Sequence, residues 1–205
     1  DNSKLNSSPS SQDLGFIVGP QINAASRIDD SSLASKLLIT NVVEQIETIS
    51  RKLFLLNEKR KLIESQILEE AIKQAEIQND SKYILVYGEN WHQGVLGIVA
   101  SKLLDQFNKP TIVISFVNSN GIGSARSING IDLGNIILNA KQKNIILEGG
   151  GHAMAAGLKL DYKNLNNFKY FLNESFEKFD NHFFEKVITY DLVISINEIN
   201  HSFLN

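Results

Sequence analysis

The 39 residues from Asn41 to Asn79 contain neither glycine nor proline. Within them Val42, Ile46, Ile49, Leu53, Leu56, Ile63 and Ile67 recur at steps of three and four or their sum. Such spacing aligns apolar side chains on one face of a 3.6-residue helix, so a single amphipathic helix is predicted here. At 1.5 Å per residue it would span about 60 Å, longer than a small domain is wide. A helix of that length connects two bodies, unless it is a coiled-coil dimer element or a long packed core helix, which the spacing alone does not exclude. Asn41, with Glu44 three residues on, matches a capping box at its start.

Beyond this helix the pattern becomes that of an α/β unit. A strand is predicted from Tyr83 to Tyr87, a turn from Gly88 to Gln93, a helix from Gly94 to Phe107, and a strand from Thr111 to Phe116 after Pro110. A hairpin through Asn118 to Gly123, a strand near Ser124 to Ile128, a helix near Leu133 to Ala140 and a glycine turn at Gly149 to Gly151 follow. A last helix covers Leu165 to Phe179. Val187 to Ser195 alternates like the start of a strand, with too little chain after it for a further domain. The Ser/Asn-rich opening DNSKLNSSPSSQD does not begin with Met and reads as a loop of something larger, so the chain is expected to be cut at both ends.

Charge and composition narrow the function classes. A net charge of −3 excludes a uniformly basic surface, so a polyanion could be held only by a local group of cations and backbone amides. The absence of cysteine excludes disulfides, thiolate zinc sites and cysteine nucleophiles. With no signal-peptide pattern and no apolar run near the roughly 18 residues of a membrane helix, a cytoplasmic protein is expected. The four histidines, at 92, 152, 182 and 201, are far apart, and no metal, P-loop or Ser-His-Asp signature occurs. No catalytic residue and no metal ligand is therefore assigned to this chain.

Four segments could carry binding. In GGGHAMAAGL, Gly149 to Leu158, a glycine turn would expose amides to a phosphate and His152 would add a donor; the competing reading is a tight turn with a core-satisfied histidine. In GIGSARSI, Gly121 to Ile128, a strand would point Ser124 and Arg126 the same way and Ser127 the other. Arg126 could fork onto two phosphate oxygens with the hydroxyls as supports, or lie in a surface salt bridge. Trp91 and His92 fall at a strand-to-helix turn, where α/β folds place ligands; Trp91 would either stack on a base or plug the helix from beneath. GPQINAASRIDD, Gly19 to Asp30, reads as a Gly-Pro turn followed by a helix that Asp30 or Ser31 caps.

Together, GPQINAASRI, WHQGVLGIVASKLLDQFNKPTIVISF, GSARSINGIDL and GGHAMAAGL resemble, in order and approximate spacing, the RecJ single-stranded-DNA-specific exonucleases of the DHH phosphoesterase superfamily. The resemblance runs from about Leu14 to Leu160. It departs at Gln21 and Ser26, where the family reads GPRINAAGR, which removes one cation and one flexible position. It implies an α/β fold: a DHHA1-type domain with a mixed sheet and flanking helices, preceded by a long interdomain helix. Residues 1–40 would be the end of a DHH domain and its junction, 41–80 the connector helix, 81–180 the DHHA1 domain, and 181–205 the truncated start of an oligonucleotide-binding-like barrel.

By the same resemblance this domain faces a DHH domain across a cleft and holds a single strand near a two-metal site. Ser124, Arg126, Ser127, Gly150, Gly151 and His152 inherit phosphate binding, and Trp91 and His92 a place at the cleft. The implied parent is a 5′-to-3′ exonuclease of DNA repair and recombination. Its Mn2+ or Mg2+ would sit on the DHH domain that this chain lacks, so that the chain alone would bind single-stranded DNA weakly and cut nothing. The alternatives are a non-catalytic nucleic-acid or nucleotide-binding DHHA1 module from a split or decaying gene, working with a separately encoded DHH half or not at all, and a dimerising scaffold whose long helix pairs and whose glycine motifs are structural.

Overall fold

The computed structural model of the chain describes residues 8–78, 80–187, 190–196, 199 and 203. The connector is one uninterrupted helix, α4 (Val43–Glu76), of 34 residues and so about 50 Å long. Its cap departs from the predicted box. Val42 is the N-cap, without a side-chain bond, and the Thr40 hydroxyl accepts the Val42 N–H (3.3 Å) while donating to Gln45 (2.8 Å). Leu53, Ile67, Ala71 and Ala75 bury the apolar stripe, whereas Val42, Val43 and Ile46 at the first turns are exposed.

Before α4 the segment read as a Gly-Pro turn is helical. A short helix, α1 (Ser11–Asp13), capped by Ser10, passes through a wider π-turn (Leu14–Val18) into α2 (Gly19–Ile28). Pro20 is the second residue of α2, directly after the wider π-turn, and Ala24 and Ala25 behind it are fully buried against the core. Asp30 then accepts both the backbone N–H (2.9 Å) and the hydroxyl (2.8 Å) of Ser32, starting α3 (Ser32–Ile39) as expected of a capping residue.

Five strands form one mixed sheet: β1 (Ile84–Glu89), β2 (Thr111–Val117), β3 (Asn120–Arg126), β4 (Glu148–His152) and β5 (Ala155–Asp161), in the order β1-β2-β3-β5-β4. Only β1 and β2 are parallel, joined by the crossover helix α5 (Leu96–Phe107). β3 begins four residues earlier than predicted, because Asn118 adopts a left-handed conformation (φ 54°) and closes a tight hairpin that pairs Val117 with Asn120. Gly149–Gly151 is not a turn but the middle of edge strand β4, and the chain reverses at Ala153–Met154 instead. The strand tolerates glycine because added Cβ atoms would strike Ile137 and Ile146 at Gly149 (2.7 Å) and the Ala155 carbonyl at Gly151 (2.2 Å).

One sheet face packs on α6 (Leu133–Gln142) and α7 (Leu165–Glu177), with Ile112, Ile114, Leu158 and Leu160 meeting Ile137, Phe168 and Leu172. The other packs on α4 and α5, where Ile84, Val86 and Val113 meet Ala71, Val99 and Leu103. That second cover stops short of β5 and β4, leaving Gly157, Lys159, Glu148, Gly150 and His152 exposed on it.

The outer edge of β1 has no strand partner but is not bare. The Gln74 amide donates to the Tyr87 carbonyl (2.8 Å) and accepts the Tyr87 N–H (3.0 Å), and Gln78 does the same for Leu85 (3.0 and 3.0 Å). Residues four apart on a helix rise about 6 Å and residues two apart on a strand about 6.7 Å, so two glutamines on one helix face can imitate a neighbouring strand. Farther back on α4, buried Arg60 bonds Asn57 and Glu64, and Lys102 of α5 reaches the other oxygen of Glu64 (2.5 Å). These contacts fix the long helix to the sheet domain.

After α7, Phe179, Phe183 and Phe184 return to the core. In the segment predicted to start a strand, positions 188 and 189 lie outside the described residues, and 187 and 190–195 carry no strand pairing. No described helix is long and apolar enough to cross a membrane.

Candidate nucleic-acid interface

The uncovered sheet face is organised in rows. Register places Arg126, Ala155 and His152 side by side on β3, β5 and β4, and Ser124, Gly157 and Gly150 in the next row. Alternation puts Ser124 and Arg126 on this face, as the sequence pattern predicted. Arg126 Nη1 lies 3.3 Å from the Ser124 hydroxyl and donates to the Ala125 carbonyl at 2.8 Å. Its position depends on Gly97 at the start of α5: an added Cβ would stand 2.8 Å from Arg126 Nη2 and 3.1 Å from Ser124 Oγ.

Three glycines in succession separate into two kinds. Gly149 and Gly151 are required by packing, but a Cβ at Gly150 would meet nothing within 4 Å, and one at Gly157 only a carbonyl at 3.9 Å. Nothing among the described residues calls for glycine at these two neighbouring positions. Their effect is to leave a bare backbone floor beside Ser124, in the row next to Arg126, Ala155 and His152, which an external group can approach closely.

Arg27 joins this site from α2, a residue the sequence reading left without a role. Its Nη1 donates to the Gly94 carbonyl (3.2 Å), and Gly94 in turn lacks a side chain because a Cβ would fall 1.9 Å from the Arg27 carbonyl. Burial first, and the charge of Arg27 second, push the Arg126 guanidinium below its ordinary pKa. Among the described residues neither arginine has a carboxylate within ion-pair distance. Two half-buried like charges without a counter-ion favour binding an anion, and a guanidinium matches the paired oxygens of a phosphate.

Both candidate histidines present the same donor. His152 Nδ1 accepts the Met154 N–H (3.3 Å) and His92 Nδ1 accepts the Gly94 N–H (3.2 Å). With Nδ1 occupied, the neutral ring carries its proton on Nε2, which is then free to donate to an oxygen.

Two predicted residues do not fit direct contact. Trp91 is 6% exposed, its ring lies on Gly88, and its indole N–H donates to Glu70 of α4 (2.9 Å). It is the plug beneath the helix and offers no face for a base. Ser127 is buried, with its hydroxyl donating to the Ile131 carbonyl (2.8 Å) and its N–H to Met154 (3.0 Å), so it braces the turn after β3. No group of three His, Asp or Glu side chains able to hold a metal ion occurs among the described residues.

Residues 80–178 match the DHHA1 domain family. The chain is 38% identical over 200 residues to the single-stranded-DNA-specific exonuclease RecJ of Haemophilus influenzae, covering 93% of this chain and 35% of that protein. It is 37% identical to the Bacillus subtilis RecJ over 164 residues, 78% of this chain and 21% of the other. The crystal structure of Thermus thermophilus RecJ in complex with Mg2+ superposes with a TM-score of 0.74 at 29% identity, over 82% of this chain and 26% of that one. The chain thus spans about a third or less of the length of these relatives.

Proposed function

Because the chain belongs to the RecJ family and carries its DHHA1 domain, we propose that it is the strand-holding portion of a single-strand-specific DNA exonuclease acting in repair and recombination in the cytoplasm. Arg126, with Arg27 beside it, neutralises a backbone phosphate; Ser124 and the Nε2 donors of His152 and His92 bond its oxygens; Gly150 and Gly157 let the strand lie against the sheet. The observation that carries this reading is the glycine at position 150, which no internal contact requires and which lies in the row next to Arg126 and His152.

In this reading a DHH domain, in the same protein or as a separate chain, would contribute the Mg2+ or Mn2+ ligands for phosphodiester hydrolysis. What this chain adds is orientation: α4, fixed to the sheet through Gln74, Gln78 and Glu64, sets the spacing between that domain and the phosphate site.

Fluorescence anisotropy of labelled single-stranded DNA at low and moderate salt tests the proposal. Salt-sensitive binding, weakened about tenfold by Arg126→Ala and less by His152→Ala, with no cleavage in Mg2+ or Mn2+, is expected. Binding indifferent to both substitutions would overturn the site, and cleavage by this chain alone would place the catalytic centre within it.

A further inference from the structure

Two rows beyond Arg126, past the glycine floor, the open face carries a further cation. Lys159 follows Ala155 and Gly157 on the exposed side of β5 and stands between Ile122 of β3 and Glu148 of β4. Its ammonium pairs with Glu148 across the strands at 2.8 Å, with both side chains more than half exposed. We propose that Lys159 is a second, exchangeable phosphate contact, released from Glu148 by a single strand that runs along the glycine floor from Arg126. This rests on the phosphate reading of Arg126 given above and extends it to the path of the strand.

Geometry and energy both favour the exchange. From the Arg126 row to the Lys159 row is four strand residues, about 13 Å, and the one row between presents Ser124, Gly157 and Gly150 with no large side chain that would block a strand. An exposed cross-strand ion pair is worth little in water, so giving it up costs little, whereas a charge-assisted bond to phosphate replaces it. Glu148 would then face the strand without its partner. Its negative charge opposes the phosphate, so the face is graded: strong at the Arg126 end, where no carboxylate pairs with the cation, and weak at the Lys159 end. A ligand too short to leave the Arg126 row should not sense Lys159 or Glu148.

Length dependence separates these roles. Competition against a labelled oligonucleotide would use a 5′-phosphorylated thymidine dinucleotide and an oligothymidine of about eight nucleotides, on the whole chain and its Lys159→Ala, Glu148→Gln and Arg126→Ala variants, with thermal melts of each. The longer ligand should lose about fivefold in affinity with Lys159→Ala and gain a similar factor with Glu148→Gln, while the dinucleotide is unchanged by either. Arg126→Ala should weaken both lengths. If Arg126→Ala acts but Lys159→Ala leaves the longer ligand within twofold, or weakens both lengths equally, the proposed path is wrong and the phosphate site stands. A longer ligand bound more weakly by Glu148→Gln also refutes the path. If Arg126→Ala has no effect, the underlying reading fails.

Discussion

Replacing Gly150 and Gly151 by alanine, one at a time, should separate binding from folding at adjacent positions. At Gly151 the new methyl would lie 2.2 Å from the Ala155 carbonyl oxygen and 2.6 Å from the Ala156 Cα. Both obstacles are backbone of the paired strand, so relief requires β4 to move off β5, at the cost of an overpacked core, about 1–3 kcal/mol. For a chain of this size that lowers Tm by about 2–12 °C. At Gly150 the methyl meets nothing, and the loss of unfolded-state freedom should leave stability unchanged or raise it by about 0.4–1 kcal/mol. The methyl does, however, stand on the floor next to the Arg126–His152 row. It should weaken single-strand binding by about tenfold, or about 1.4 kcal/mol. Urea denaturation and anisotropy on the same preparations give both quantities. A Gly150→Ala protein that binds like the parent, or a Gly151→Ala protein as stable as the parent, would refute the assignment of the two glycines to different causes.

Gln74→Ala and Gln78→Ala should each cost about 2 kcal/mol in urea denaturation, two hydrogen bonds at about 1 kcal/mol apiece, and the double variant should self-associate in light scattering because the β1 edge is left unpaired. A monomeric double variant within about 0.5 kcal/mol of the parent would show that the edge does not need them. Burial raises the Tyr83 hydroxyl from 10.0 to about 12. A raised folded value means that the stability it contributes is complete below pH 10 and is lost as pH climbs toward 12, about 2–3 kcal/mol in all. Tyr83→Phe, which also gives up bonds to Asn173 and the Lys169 carbonyl, should show a shallower alkaline decline; identical slopes would contradict this.

Periodicity made the long helix and the parallel β1–α5–β2 unit legible, and alternation alone placed Ser124 and Arg126 on one face. Glycine misled the reading wherever its cause was tertiary. Gly149 and Gly151 suggest a turn until Ile137, Ile146 and the backbone of β5 are seen to occupy the space that side chains would need. Gly-Pro at 19–20 suggests a break, yet the helical run passes through the wider π-turn and Pro20 into the helix that buries Ala24 and Ala25. Trp91 could be assigned to plug or platform only once Glu70 and Gly88 were located around its ring. The approach of Arg27 to Arg126 had no local signal, because about a hundred residues separate them in the chain and α2 reaches the site through the Gly94 turn that precedes α5. The glutamine pair on α4 is visible as Gln74 and Gln78, but its meaning depends on the strand edge it faces.

The most direct test of the binding face is a 15N-HSQC titration of the chain with a short 5′-phosphorylated single-stranded DNA. The account predicts shifts concentrated at Ser124, Arg126, Gly150, Gly157 and the Nε2 proton of His152, with the α6 and α7 face silent. Shifts confined to that other face, or to the β1 edge, would contradict it.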